Sequence, residues 1–124
     1  MSKPKVSYRG RKEKGAILER MVAKALVDAG LDKYARRSFM SGGFQQGDGD
    51  VVTRLPIHLE CKNSESWSPL DAYDQALRDR SSARKIAVVV LKKNRTEPFV
   101  FLTLTDFINV LAYALFANWP DGEI

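Results

Sequence analysis

Two short runs place carboxylates where they can take a hard cation: Gly47-Asp48-Gly49-Asp50-Val51-Val52 and, after a break, Leu59-Glu60-Cys61-Lys62. Side chains alternate along a strand, so Glu60 and Lys62 leave the same face of any strand that contains both. Asp50, opening the apolar run before them, can sit alongside. Carboxylate oxygens suit magnesium, for which manganese can substitute, and such a cation offsets the charge that grows on a phosphate during phosphodiester hydrolysis. A lysine beside a divalent cation has its pKa pushed down. Lys62 can then orient or deprotonate the attacking water, or hold charge in the transition state. Glu19, upstream, supplies a further carboxylate that binds metal directly or through water, and the carbonyl of Cys61 can add a ligand.

Charged residues also alternate on ordinary solvent-facing strands, so the Glu60-Cys61-Lys62 triplet alone is weak. It gains weight from an aspartate that begins the adjoining strand, a glutamate on an upstream helix and the glycine-rich approach between them. His58 shares the face of Glu60, yet a lone histidine is more often an ordinary surface or core residue, and it is left out of the site. Cys61 points away from Glu60 and reads as a small core residue. Trp67 fits a hydrophobic staple beside a helix start as readily as it fits stacking on an unpaired base.

These residues need a scaffold. Between Glu13 and Ala29 the apolar Leu18, Met21, Val22, Ala25, Leu26 and Ala29 recur at helical spacing, Gly30 ends the run, and Glu19 lies just off the stripe. Strands are predicted at Tyr34 to Met40, Asp50 to Arg54 and Ile57 to Lys62, with Leu55-Pro56 as the break, which suggests an antiparallel meander. Ser68-Pro69-Leu70-Asp71 reads as an N-cap, a first-turn proline and a capping-box acid, opening a helix to about Ser82. Strands follow at Lys85 to Leu91, through Val88-Val89-Val90, and at Phe99 to Leu104. Thr105 can cap a last helix, 106–118, in which Phe107, Ile108, Val110, Leu111, Tyr113, Leu115 and Phe116 leave little polar face. Such a helix wants two partners: its own sheet and, since two-fold dimers are the commonest oligomers, a second copy of the chain. The order α-β-β-β-α-β-β-α makes an α/β fold, a sheet flanked by helices.

The chain has 124 residues, a net charge of +5 and a pI near 9.5, which fits one core and attraction to polyanions, although modest positive charge also serves solubility. One cysteine excludes an internal disulfide and a multi-cysteine zinc site. Residues 1–12, with Lys3, Lys5, Arg9, Arg11 and Lys12, read as a basic flexible arm suited to phosphate contact or to mere solvation, and 13–124 as a single domain. No apolar leader core or membrane-length run is present, so a cytoplasmic protein is expected.

Taken together, Glu19, Asp50 and Glu60-Cys61-Lys62 resemble the PD-(D/E)xK nuclease superfamily. The E-x-K half is matched in full. Gly49 stands where proline is usual, which leaves Asp48 or Asp50 as the ligand; Asp50 is preferred because Val51-Val52 follows it. The resemblance implies a restriction-endonuclease-like mixed sheet of five strands between helices. Within the superfamily the chain is similar to archaeal-type Holliday junction resolvases, a form some phages carry, through its basic start, Glu19, the Ser41-Gly42-Gly43 turn and the E-x-K strand. Gln75 corresponds loosely to a downstream glutamine, and Ser41 joins it as an accessory candidate. What this implies is a homodimer that nicks four-way DNA junctions symmetrically with Mg2+, with Lys5, Arg9, Arg11, Lys12, Arg36 and Arg37 on the DNA backbone. A relative that cuts linear or flapped DNA and a non-catalytic DNA-binding module are the alternatives.

Overall fold

The computed structural model describes residues 8–38, 50–66 and 68–116, the side chains of Tyr8 and Arg11 excepted. In chain order its elements are α1 (Tyr8–Asp28), β1 (Arg36–Arg37), β2 (Val51–Val52), β3 (Ile57–Asn63), α2 (Pro69–Asp79), β4 (Ile86–Lys92), β5 (Phe99–Phe101) and α3 (Leu104–Phe116). This is an α/β fold.

Among the described residues the strands fall into two sheets rather than one of five. β1 and β2 form an antiparallel pair, while β3, β4 and β5 form a separate sheet in that order. Asp32 accounts for the break. Its carboxylate accepts the hydroxyl of Thr53 at 2.7 Å and the N–H of Arg54 at 2.8 Å, which ends β2 after two residues. A backbone bond from Asp50 N–H to the Leu59 carbonyl, 2.9 Å, spans the gap to β3. The expected meander therefore stops at β2. β3 pairs instead with β4, in parallel, and α2 is the crossover that a parallel pair requires.

Register decides which residues share a face. Glu60 pairs with Val89 and Cys61 with Val90. Leu59, Cys61, Val88 and Val90 pack with Leu18 and Ala23 of α1, while Val89 and Leu91 pack with Ala72 of α2. His58, Glu60 and Lys62 thus lie on the face that α2 covers.

α1 starts at Tyr8, so residues 8–12 of the expected arm continue the helix, and Gly30, at φ +73°, turns the chain out of it. Ser68 caps α2 as expected, its Oγ accepting the Asp71 N–H at 3.3 Å. The last strand is shorter than expected because Thr103, not Thr105, caps the last helix: its Oγ accepts the Asp106 N–H at 3.1 Å and its carbonyl the Phe107 N–H at 3.0 Å. α3 also departs from expectation in its packing, since none of its described residues is buried. Asp106, Asn109 and Tyr113, one stripe of the helix, line a cavity of about 420 Å³ with Arg80, Arg84 and Lys85. The apolar stripe of Leu104, Ile108 and Leu115 is exposed, at 74%, 52% and 42%. Among the described residues no helix is long and apolar enough to cross a membrane.

Candidate active site

Asp50 is fixed from three sides. Its N–H goes to Leu59, its carbonyl accepts the Ser38 N–H at 3.0 Å, and its Oδ2 accepts the Cys61 N–H at 2.7 Å. Backbone and side chain together therefore hold this carboxylate at the edge of β3, next to the centre of the E-x-K triplet. Asp48, the other candidate aspartate, lies outside the described residues, as do Ser41, Trp67 and Lys5.

Glu60 is buried, 3% exposed, and its Oε1 lies 2.9 Å from His58 Nε2. Burial pushes its carboxyl above the usual carboxylate range; the bond from His58 opposes this and the charge of Asp50 adds to it. Lys62 is half-buried and donates from Nζ to Gln75 Oε1 at 3.1 Å. The two therefore meet across the interface of β3 and α2. They open on a cavity of about 340 Å³ that Ser64, Ser66, Ser68, Asp71 and Arg78 also line.

Glu19, 5% exposed, reaches in from α1, which covers the opposite face of β3. Its Oε2 accepts from Arg37 Nε at 2.6 Å. The thiol of Cys61 is pushed well up, by burial first and then by the charges of Asp50, Glu19 and Glu60, with Lys62 opposing. One buried residue thus feels all four of the side chains that the sequence nominates. They arrive from different sides, and among the described residues no three His, Cys, Asp or Glu side chains form a group that could hold a metal ion.

The basic residues divide. Arg9, Lys12 and Arg36 are exposed, and Arg9 lies 3.9 Å from Glu13 on its own helix. Arg37 is half-buried, and its Nε pairs with Glu19. His58 is the residue that sequence reasoning passed over. Alternation already placed it on the face of Glu60; what the sequence does not display is that α2 closes over that face and turns an ordinary strand histidine into an enclosed one.

An α/β core with an aspartate at the edge of an E-x-K strand, and a glutamate brought up by the first helix, defines a nuclease of the PD-(D/E)xK class. Within that class the chain belongs to the family described as "Phage putative PDDEXK endonuclease", whose model matches residues 10–119 and so spans Glu19, Asp50, Glu60 and Lys62. Neither a curated protein nor a solved structure matches the chain.

Proposed function

We propose that the protein is a Mg2+-dependent endonuclease that resolves four-way DNA junctions inside the cell, Mn2+ substituting for Mg2+. The observation that carries the nuclease part is Asp50, held by the Cys61 N–H at the edge of the E-x-K strand and close enough for its charge to raise the carboxyl of Glu60. The donor set suits a hard cation: carboxylate oxygens, two of which repel one another where water is scarce. Cys61 adds to it, since N–H and C=O of one residue leave a strand at the same edge, and its N–H meets Asp50 there. Asp50 and Glu60 would hold the ion, with Glu19 joining directly or through water once Arg37 yields it.

What such an ion supplies is charge neutralisation on the phosphate and a more acidic water. The protein's own part is positional. Lys62, steadied by Gln75, points its ammonium at the attacked phosphate and either orders the water or balances charge in the transition state. The cavity beside it offers Arg78 and the serine hydroxyls to the neighbouring backbone, while Lys5, Arg9, Arg11, Lys12 and Arg36 contact phosphates further off.

The preference for junctions follows from two-fold symmetry, and α3 supports a dimer. A surface helix normally turns its apolar stripe inward; this one buries none of its described residues, and Leu104, Ile108 and Leu115 lie exposed along one side. A second copy supplies the same stripe in return. The test is a labelled immobile four-way junction and a matched linear duplex, each incubated with Mg2+ or EDTA and run on a denaturing gel. Symmetric nicks in the junction alone, only with Mg2+, are expected. Equal cutting of both substrates would leave a nuclease without junction selectivity, and tight binding with no cutting would leave a DNA-binding module.

A further inference from the structure

We infer that His58 is a positioning residue for Glu60: a fixed N–H donor that holds one carboxylate oxygen and so presents the other to the metal. The inference rests on the nuclease reading above. Its physical basis is the enclosure of the ring, which is 1% exposed, with Nε2 2.9 Å from Glu60 Oε1 and Nδ1 buried without a partner.

That orphaned Nδ1 selects the form of the imidazole. The Nδ1–H tautomer would bury an N–H with no acceptor and set a bare Nε2 lone pair against the glutamate oxygen. The Nε2–H tautomer leaves only an unused acceptor at Nδ1 and donates to Glu60. An unmade bond at a buried donor is the costlier defect, so the Nε2–H tautomer is the one this pocket holds. With Oε1 engaged, Glu60 is fixed along the strand, and Oε2 is the atom left to ligate. Partners of this kind behind a ligand orient it and tune its affinity for the ion.

His58 is the single histidine of the chain, which makes the test clean. Long-range proton–nitrogen NMR on the full-length protein reports one imidazole, expected as a single, slowly exchanging Nε2–H tautomer whose signals broaden when Mn2+ is added. The Nδ1–H form, or two tautomers in fast exchange, overturns the inference; so do signals that stay sharp in Mn2+ at concentrations that support cutting. His58→Phe keeps a planar ring and removes the donor, whereas His58→Gln keeps a donor. The Phe variant should need about 10- to 100-fold more Mg2+ for half-maximal cutting, with DNA affinity in EDTA unchanged, and the Gln variant should recover part of that shift. An unshifted Mg2+ dependence in a folded Phe variant overturns the inference and leaves the nuclease reading standing. A wild type that cuts no DNA at any metal concentration overturns both, and the NMR spectrum stays decisive if the Phe variant does not fold.

Discussion

The guanidinium of Arg37 donates from Nε to Oε2 of Glu19 over 2.6 Å, joining β1 to α1 across one wall of the site. The glutamate side chain is 7% exposed and the arginine 28%. Removing the arginine takes this cation away from a buried carboxylate, which costs about 3–5 kcal/mol in fully buried pairs and somewhat less here, roughly 2–3, because water reaches Arg37. Urea unfolding of Arg37→Met should show that loss. Adding Glu19→Gln, which removes that carboxylate's charge, should restore most of it. A single variant as stable as wild type would mean that the pair contributes little.

Glu60 and Lys62 should separate binding from chemistry. Glu60→Gln keeps the shape of the side chain and removes its charge, so four-way DNA should bind in EDTA as before while cutting falls at least about 100-fold. Lys62→Met should lower the rate at saturating Mg2+ by about 10²- to 10³-fold, the usual loss when a group that stabilises developing charge is removed. Gel-based single-turnover rates decide both. Weakened DNA binding with an unchanged rate would make Lys62 a mere backbone contact.

Arg78 faces the cavity beside Lys62 and has the reach for a phosphate next to the one attacked. Arg78→Ala should reduce the slope of log affinity against log salt by about one and leave the Mg2+ requirement of cutting alone. Fluorescence anisotropy across a salt series in EDTA reads the slope directly, and an unchanged slope would remove Arg78 from the DNA path.

Much of this was legible in the residues because the physics behind it is local. Ser68-Pro69 marks a helix start by itself, Val88-Val89-Val90 marks a buried strand, and alternation alone puts Glu60 beside Lys62. Partners remote in sequence were not legible. Nothing near Asp32 announces that it binds the Thr53 and Arg54 backbone region and stops β2, so one continuous sheet was expected where two were found. Nothing near Arg37 announces Glu19, and nothing near His58 announces the cover of α2. Thr105 was the expected cap of the last helix; the bonds that Thr103 makes to the N–H groups of Asp106 and Phe107 start the helix earlier.

α3 gives a prediction about mass. Ile108 is 52% exposed on the outward stripe, so Ile108→Asp costs the single chain little but places a charge in any two-fold contact made by that stripe. Light scattering should report about 28 kDa for the wild type, twice the 14.0 kDa of one chain, and a shift to the single-chain mass for the variant. A wild type that already runs at the single-chain mass at working concentration would exclude the dimer.

Asp32 contributes to stability against acid. Its carboxyl is lowered from the usual 3.8, chiefly by the Arg54 N–H, then by the Thr53 hydroxyl and the Tyr34 N–H, which donates at 3.0 Å. A group whose pKa falls on folding contributes stability that is fully present above its unfolded pKa and is lost as pH falls through the folded one. Asp32→Asn should therefore be less stable than wild type at pH 5 and above, and the gap should close as pH drops below the ordinary carboxylate range. Glu60 runs the other way. Its pKa is raised from 4.5, so the advantage of its neutral form is complete below that value and disappears as pH rises through the folded pKa. Glu60→Gln, which cannot ionise, should then gain on wild type with rising pH in EDTA. Mg2+ bound by the ionised carboxylate would offset that gain in the wild type alone, because a ligand that binds only the folded protein stabilises it. Urea midpoints of the three proteins from pH 3 to 7, with and without Mg2+, give both slopes at once: a wild type whose midpoint is indifferent to Mg2+ at pH 7 would remove Glu60 from the metal site, whereas a parallel pH profile in Asp32→Asn would remove Asp32 as the anchor of the turn that ends β2.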